Sequence, residues 1–340
     1  MPPMTDDLHD DDLNETPDDG LDPVEDDLAD DAPQLAHSGF VVVCGKPNVG
    51  KSTLMNQILG EKIAIVSPKP QTTRLRQFGI YTRPDVQAIF VDTPGLHQPR
   101  HELGEYMVQV ALDAIHDAEV ILFVVDLSSA PDEDDQRVAA IIGEARAAAF
   151  KAGTVIPVVM ALNKIDRTAA KNVLPHSEAY QALIPDALWT AISAVAGRGV
   201  GEVLDHIIER LPAGPQYYPD DQLSDTPVRE IVAEIVREKV LLNLAQEVPH
   251  AVAVEVDEYT ERSASLTYIR LTIYVERDSQ KGILIGGGGG MLRTIAASAR
   301  EDIETLIGTK VYLEPWVKVL KNWRRDPNFL RRLGYRVKKS

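Results

Sequence analysis

The sequence predicts an α/β domain built on a mainly parallel sheet, followed by a smaller α+β domain. Between residues 40 and 192, short apolar runs recur and each is followed by a helical pattern, which is typical of βαβ units. The runs are Val41 to Cys44, Ala88 to Val91, Val120 to Val125, Val155 to Leu162 and Leu188 to Ile192. A break rich in proline and glycine at 211–219 then separates this pattern from a new one. A length of 340 residues fits two domains.

The turn after the first run carries a phosphate-binding loop. Residues 45–52 read G-K-P-N-V-G-K-S, which matches G-x-x-x-x-G-K-[ST] between a strand and a helix. In such loops the backbone N–H groups surround the phosphates, the Lys51 ammonium approaches the β- and γ-phosphates, and the Ser52 hydroxyl binds Mg²⁺. A glycine-rich turn without a ligand is the alternative interpretation. The residues predicted to bind a nucleotide here are Gly45, Lys46, Pro47, Asn48, Val49, Gly50, Lys51, Ser52 and Thr53.

Two further segments predict a magnesium site and a sensor of the γ-phosphate. Asp92-Thr93-Pro94-Gly95 follows the second run, where the Asp92 carboxylate can reach Mg²⁺ and the Gly95 N–H can contact the γ-phosphate. Gln71-Thr72-Thr73-Arg74 lies in a polar loop, and Thr73 rather than Thr72 is expected to complete the Mg²⁺ shell. Each segment taken alone also fits an ordinary turn. The predicted catalytic residues are Lys51, Thr73, Asp92 and Gly95.

The segment after the fourth run predicts guanine as the base. Asn163-Lys164-Ile165-Asp166 places one carboxylate where it can accept both guanine N–H donors, while the Asn163 amide and the Lys164 stem support the ring. Adenine would leave the Asp166 carboxylate unpaired, which is the basis of discrimination. Ser193-Ala194, after the fifth run, offers backbone that could face the guanine O6. The alternative is a surface turn with Asp166 as a helix cap.

The second domain is predicted to run in the order α-β-β-α-α-β. Thr226-Pro227 begins a helix with apolar residues at helical spacing, and the strand-like runs that follow are 251–256, 266–275 and 311–313. Two helices around 281–307 are joined by Gly286 to Gly290, which predicts a KH-type I-G-x-x-G loop rather than a flexible tether. A purely structural turn is the alternative. The predicted RNA contacts are Lys281, Gly286, Gly287, Gly288, Gly289 and Arg293, with Arg300 as a further candidate.

Charge is distributed unevenly along the chain. Residues 1–36 carry 14 acidic and no basic side chains, so most of the net charge of −17 lies there. We expect a disordered, solubilising tail, with a docking role as the alternative. The last 25 residues carry nine lysines and arginines against Asp326, which favours a polyanion partner. Trp316, Trp323, Phe329 and Tyr335 lie among these basic residues. Stacking on bases is an option for them, whereas core packing is expected for Trp316.

Other features bear on cellular location. The lone Cys44 excludes an internal disulfide and is expected to fill space in a buried strand. Apolar runs stay well below 18 residues, and the N-terminal sequence lacks the pattern of a signal peptide. We therefore expect a soluble cytoplasmic protein, with peripheral contact at the inner face of the cell membrane left open.

The wording of the motifs resembles the Era family of GTPases. G-K-P-N-V-G-K-S-T-L-M-N, Q-T-T-R, D-T-P-G-L-H and N-K-I-D occur in that order, and the resemblance extends over nearly everything from residue 38 onward. It implies a Ras-like P-loop GTPase domain, a type II KH domain, and hydrolysis of GTP to GDP with Mg²⁺. It also implies a monomer that binds 16S rRNA near its 3′ end and assists assembly of the 30S subunit. The expected segments are a tail at 1–36, a GTPase domain at 37–213, a linker at 214–226, a KH domain at 227–320 and a basic segment at 321–340.

The resemblance also implies a K⁺ ion beside the phosphates, bound by Asn48. Leu96 stands where other GTPases place a water-orienting glutamine, so no side-chain base is evident, and His97 is a candidate for which a structural or exposed role is favoured. A Der-like assembly GTPase is one alternative function, opposed by the lack of a second phosphate-loop motif. An RNA-binding module that uses GTP structurally is another, opposed by Lys51, Ser52 and Asp92.

Overall fold

The computed structural model describes residues 34–67, 72–74, 76–96, 102–244 and 251–334. The elements of the first domain are β1 Gln34–Leu35, β2 His37–Cys44, α1 Lys51–Leu59, β3 Gln77–Arg83, β4 Val86–Asp92, α2 Glu102–His116, β5 Val120–Asp126, α3 Glu133–Lys151, β6 Val158–Asn163, α4 Ala170–Gln181, β7 Leu188–Ala191 and α5 Val200–Ile208. Those that follow are β8 Gly214–Pro215, α6 Val228–Asn243, β9 Ala253–Ser263, β10 Leu266–Val275, α7 Asp278–Ile285, α8 Gly290–Ile307, β11 Lys310–Val319 and α9 Pro327–Arg332.

The first domain contains a six-stranded sheet in the order β3-β4-β2-β5-β6-β7. Every neighbouring pair is parallel except β3 and β4, so the predicted mainly parallel sheet is confirmed. Helices cover both faces, which explains why the central strands are apolar along their whole length. Leu54 of α1 and Val203 of α5 lie in the core on one face. Ile115 of α2, Val138 of α3 and Tyr180 of α4 lie in the core on the other.

The structure differs from the sequence-based expectation at three strands. Strand β3 was missed, because Gly79 and its polar residues interrupt the apolar pattern. Strand β6 begins at Val158 rather than Val155, since Pro157 has no N–H to donate to a ladder and Val155 is 69% exposed. Within the segment assigned to the acidic tail, Gln34–Leu35 pairs with Gly214–Pro215. The rest of that tail, residues 1–33, lies outside the described residues.

The second domain has the predicted order α-β-β-α-α-β. Strand β10 pairs antiparallel with β9 and parallel with β11, and side chains from α6, α7 and α8 pack against this sheet in one core. Strand β11 spans ten residues instead of the three expected, because Pro315 hides its continuation in the sequence. A proline is tolerated there since β11 lies at the edge of the sheet.

Aromatic residues near the C-terminus have the opposite roles from those expected. Trp316, expected in the core, is 54% exposed, because its side chain lies on the face of β11 opposite the buried Val317. Trp323 is fully buried, and its indole N–H donates to the Ala251 carbonyl at 2.9 Å. Its cluster includes Leu103 and Met107 of α2 in the first domain. Through this cluster the C-terminal segment contacts the first domain.

The connection between the domains follows the edge of the first sheet. The Ile80 N–H donates to the Leu223 carbonyl at 2.9 Å, and the Gln87 side chain accepts from the backbone N–H groups of Tyr217 and Tyr218. In the part of the chain that the structure describes, every helix is too short or too polar to cross a bilayer.

Candidate functional site

The phosphate-binding loop joins β2 to α1, and two of its glycines are required by close contacts. Gly45 has a φ of +149°, and a Cβ there would lie 2.3 Å from the Val124 carbonyl oxygen. Gly50 has a φ of +101°, and a Cβ there would lie 2.3 Å from Asn163 Nδ2. Val49, between them in sequence, is fully buried in the core. The loop is therefore held in a fixed shape by contacts with β5 and with the end of β6.

The Lys51 ammonium lies inside this loop. Lys51 is 6% exposed, and its Nζ donates to the carbonyls of Gly45 at 3.1 Å and Lys46 at 3.0 Å. Burial lowers the pKa of Lys51, although the nearby Asp92 carboxylate opposes this effect. A phosphate group entering the loop would provide the anionic partner that a buried ammonium requires.

Three oxygen ligands meet where the predicted magnesium site lies. Ser52 Oγ is 2.6 Å from Asp92 Oδ2, Thr73 Oγ1 is 3.1 Å from the same oxygen, and the two hydroxyls are 3.0 Å apart. Thr72 instead directs its hydroxyl to the Ser67 carbonyl at 3.4 Å, which favours Thr73 as the ligand. Burial raises the pKa of Asp92, although Lys51, Ser52 and Thr73 oppose this effect.

These residues fit a divalent cation. Asp92 is fully buried, and among the described residues its Oδ1 has no hydrogen-bond partner. An orphaned carboxylate oxygen in the protein interior is costly unless an ion or water satisfies it. Hydroxyl and carboxylate oxygens are ligands that Mg²⁺ accepts, together with water and phosphate oxygens. Ser52, Thr73 and Asp92 would therefore hold the ion, which would supply positive charge to the β- and γ-phosphates.

The segment after Asp92 packs directly on the phosphate-binding loop. A Cβ on Gly95 would lie 2.8 Å from both N and Cα of Pro47, so only glycine allows this approach. The Leu96 N–H donates to the Gly45 carbonyl at 3.2 Å, and the Leu96 side chain is buried in the core. Leu96 therefore cannot orient a water as glutamine would. His97, the candidate substitute, and Gln71 lie outside the described residues.

A cleft opens beside these groups. Polar and apolar side chains from the loop, from α1 and from the segment before β3 line it together: Pro47, Asn48, Gly50, Lys51, Ser52, Thr53, Ile65, Val66, Ser67, Thr72, Thr73 and Gly95. Its wall combines the Lys51 ammonium, backbone N–H groups at the start of α1 and the cation ligands. This combination is suited to a triphosphate.

Asn163 connects the phosphate-binding loop to the predicted base site. It is 3% exposed, its Nδ2 donates to the Val49 carbonyl at 2.8 Å, and its Oδ1 accepts from the Ala194 N–H at 2.9 Å. The backbone of Ser193-Ala194 is predicted to face the guanine O6, but the Ala194 N–H already donates to Asn163. A guanine O6 would therefore have to share this donor with the Asn163 side chain. The Ser193 N–H donates to the Arg198 carbonyl at 3.0 Å.

Lys164 and Asp166 follow Asn163 and leave the sheet. The Lys164 ammonium donates to the Asn48 carbonyl at 2.7 Å and to the Asp126 carboxylate at 2.6 Å. Burial alone would raise the pKa of Asp126, but the hydrogen bonds from Lys164 and Ser128 outweigh it and lower this pKa. The Asp166 side chain is 42% exposed, and its closest cation, on Arg167, is 3.8 Å away. Its carboxylate is thus accessible to a ligand.

Sequence reasoning missed the acidic residues that support this site. Asp126 ends β5 as Asp92 ends β4, so the rule that ligands bind at the carboxyl ends of parallel strands was enough to find it. Lys46, predicted to bind the nucleotide, instead directs its ammonium to Asp132 and Asp135 at 2.7 Å each. Its backbone carbonyl accepts from the Lys51 ammonium at 3.0 Å. Asp132 and Asp135 form a capping box at the start of α3. A capping pattern in the sequence does not indicate a contact with Lys46.

The glycine loop of the second domain lies between α7 and α8. Gly286 has a φ of +71°, and a Cβ there would lie 2.9 Å from the Met291 backbone N, so this position requires glycine. Gly287 and Gly288 are exposed and face open space. A Cβ on Gly289 would lie 3.4 Å from the Arg293 guanidinium. Lys281 is half-buried on α7 and Arg293 is exposed in the first turn of α8, on the two sides of the loop. Arg300 is exposed about two turns further along α8.

Comparison with known proteins agrees with this geometry. Residues 40–164 match the family model of the 50S ribosome-binding GTPase, and residues 247–324 match that of the KH domain. Two solved structures are each 38% identical in sequence to this chain, with a TM-score of 0.82, and each match covers 88% of this chain. One is Era in complex with MgGDPNP and nucleotides 1506–1542 of 16S ribosomal RNA, of which 99% is covered. The other is a single-residue variant of Aquifex aeolicus Era bound to GDP.AlF4-, of which 100% is covered.

These matches extend over both domains and confirm the resemblance, the Ras-like GTPase fold and the KH fold inferred from the motifs. With a GTPase domain joined to a KH domain and this level of identity over nearly its whole described length, the chain belongs to the Era family of GTPases.

Proposed function

We propose that this protein binds and hydrolyses GTP, binds small-subunit rRNA near its 3′ end through its KH domain, and assists assembly of the 30S subunit. The observation that carries the enzymatic part is the cluster of Ser52, Thr73 and Asp92 beside Lys51, with one buried Asp92 oxygen left for a cation. The rRNA part is supported by the Era structure with MgGDPNP and 16S rRNA, which is similar along both domains.

Catalysis in this proposal rests on electrostatic stabilisation. The Lys51 ammonium and the backbone N–H groups of the loop stabilise the charge that develops on the transferring phosphoryl group. Gly95 brings its backbone onto the loop, where its N–H can contact the γ-phosphate. Leu96 is buried and cannot orient a water, so in this proposal water activation depends on positioning. Such a site should be slow without a partner.

We also propose that Asn48 binds a K⁺ ion beside the phosphates. Asn48 is exposed in the wall of the cleft and has a φ of +64°, a conformation that asparagine adopts more readily than most residues. Its backbone carbonyl accepts from the Lys164 ammonium, and the side-chain amide oxygen is the atom proposed to bind the cation.

Turnover of GTP in K⁺ and in Na⁺, each with and without a fragment of the small-subunit rRNA 3′ end, tests the coupled mechanism. K⁺ and the RNA should each accelerate turnover, and a protein that responds to neither would refute it. Asn48→Gly is the informative variant, because glycine keeps the left-handed backbone and removes only the amide. It should turn over GTP equally in both salts, whereas retained K⁺ stimulation would exclude Asn48 as the ligand.

The RNA part of the proposal centres on the glycine loop. Gly287 and Gly288 are exposed and lack side chains, so a nucleic-acid backbone can approach the chain closely there. Positive charge would come from Lys281, Arg293 and Arg300. Trp316, exposed on β11, is in addition available for base stacking.

Replacing Gly287 and Gly288 together by aspartate tests this role. Negative charge at the loop should weaken binding of the rRNA fragment at least tenfold and leave GTP turnover without RNA unchanged. The matched control is Glu301→Asp, which introduces an aspartate on α8 without changing the net charge. Unchanged RNA affinity in the loop variant would remove the loop from the RNA site.

The remaining parts of the proposal concern the assembly state and location. We infer a monomer in the cytoplasm from the family resemblance, with a peripheral membrane contact as a secondary feature. Sedimentation at several concentrations tests the first point. Flotation with vesicles containing anionic lipid, at low and physiological salt, tests the second, since an electrostatic contact weakens as salt rises.

A further inference from the structure

The residues on both sides of Thr73 are held by the second domain. Arg237 of α6 donates to the Thr72 carbonyl, and its guanidinium is fixed by Glu234, with Nε 2.7 Å from Oε1. Arg74 donates to the Val252 carbonyl at 2.6 Å, and its guanidinium lies 5.8 Å from the centre of the Trp323 ring. The predicted Mg²⁺ ligand is thus bracketed by two contacts with the KH domain.

Both arginines are removed from solvent by this arrangement. Arg74 and Arg237 are each 1% exposed and are among the largest fully buried side chains. A buried guanidinium is stable only when its donors are matched by acceptors in a fixed geometry. Each arginine donates to a backbone carbonyl of the other domain, Arg74 to Val252 and Arg237 to Thr72. These contacts therefore exist only while the two domains are docked.

A second set of contacts holds the start of the same loop. Glu238, the residue after Arg237, accepts from the Val66 N–H at 2.8 Å and from the Lys62 ammonium at 2.6 Å. Lys62 also pairs with Asp302 of α8 at 2.7 Å. Glu238 and Arg237 therefore hold the chain at residue 66 and again at residue 72. One turn of α6 fixes both ends of the segment that leads to Thr73.

The position of Thr73 depends on these anchors. Its side-chain hydroxyl lies 3.0 Å from Ser52 Oγ and 3.1 Å from Asp92 Oδ2. Keeping a loop residue in place before the ligand arrives reduces the entropy cost of binding. Before Thr73 the contact is made by the Thr72 backbone carbonyl, and after it by the Arg74 side chain. Neither contact touches the Thr73 hydroxyl, so both act on it through the chain.

The geometry points to Arg237 as a positioning residue for GTP binding: by holding the Thr72 carbonyl, the KH domain keeps the Thr73 hydroxyl in place for Mg²⁺-GTP. This inference rests on the proposed Mg²⁺-dependent GTP binding. GDP lacks the γ-phosphate with which Thr73 is expected to act, so Arg237 should affect GTP far more than GDP. By thermodynamic reciprocity, GTP should favour the docked arrangement by the same factor.

The experiment measures the dissociation constants of Mg²⁺ with a non-hydrolysable GTP analogue and of GDP. The variant combines Arg237→Met with Glu234→Gln. Methionine replaces the apolar part of the arginine side chain, and glutamine removes the Glu234 carboxylate, which would otherwise lose its partner. We expect the analogue to bind about tenfold more weakly, as for loss of a hydrogen bond from a charged donor, and GDP to change less than about twofold. Arg237→Lys, which keeps one donor, should give an intermediate affinity. Arg229→Ala is the control, since Arg229 is exposed on the same helix and contacts Tyr259 within its own domain.

A double-mutant cycle with Thr73→Ala separates positioning from general damage. If Arg237 acts through Thr73, the α6 variant should have no further effect on analogue affinity once Thr73 is replaced. Equal losses for analogue and GDP, or effects that add in the cycle, would overturn the inference. If the double variant in α6 does not fold, the same cycle is measured with Arg237→Lys in its place, and its result decides. Wild-type protein that binds the analogue without any need for Mg²⁺ would instead contradict the proposed function.

Discussion

Asn163 is expected to stabilise the nucleotide-free protein, a role separate from base recognition. Its amide joins the Val49 carbonyl at 2.8 Å to the Ala194 N–H at 2.9 Å, and the residue is 3% exposed. Asn163→Ala would leave both backbone groups without these partners. At about 1 to 1.5 kcal/mol for each, the free energy of unfolding should fall by about 2 to 3 kcal/mol. With a denaturant dependence of about 2 kcal/mol per molar, the urea midpoint should fall by about 1 M.

Asp166→Asn is the matched comparison, because Asp166 is 42% exposed and lies 3.8 Å from its nearest cation. Its unfolding free energy should change by less than about 0.5 kcal/mol, as for other surface positions. Its GTP affinity should fall at least about a hundredfold, with a gain for xanthosine triphosphate, because two bonds to a charged acceptor are lost. Urea unfolding followed by circular dichroism and nucleotide binding are the two assays. An unchanged midpoint in Asn163→Ala, or an equal shift in both variants, would refute the division of roles.

Three other predictions follow from close contacts and burial. Gly95→Ala places a methyl group 2.8 Å from the Pro47 backbone and should reduce GTP turnover at least tenfold while GDP affinity stays within about threefold; unchanged turnover would contradict the contact. Gly286→Ala should lower thermal stability and RNA affinity, because Gly286 has a φ of +71° that alanine does not readily adopt. Gly290→Ala is the control: Gly290 has helical backbone with open space around it, so alanine there should raise the free energy of unfolding by up to about 1 kcal/mol. Burial raises the pKa of Cys44 to about 12, so its thiol should resist a disulfide reagent at pH 8 until urea unfolds the protein; rapid reaction of the native protein would show that the strand opens.

The strands of the parallel sheet and the residues at their ends were accessible from sequence, because buried strands need continuous apolar runs and ligands bind at their carboxyl ends. Asp92 and Asn163 were found in this way. Strand β3 was not, since an edge strand with a glycine and several polar residues does not show the apolar pattern. The contact of Lys46 with Asp132 and Asp135 was not accessible either, because 86 and 89 residues of chain separate the partners.

The sequence by itself determined the two folds, the nucleotide motifs and the glycine loop, because each depends on residues close together in the chain or on local periodicity. Tertiary structure decided which aromatic residue was buried and which arginines joined the domains. Trp323 is buried and Trp316 exposed through their positions against α2 and the face of β11, which a basic-aromatic pattern does not encode. Arg74 lies 178 residues from its acceptor in sequence and Arg237 lies 165 from its own, so only docking of the two domains brings these contacts to either side of Thr73.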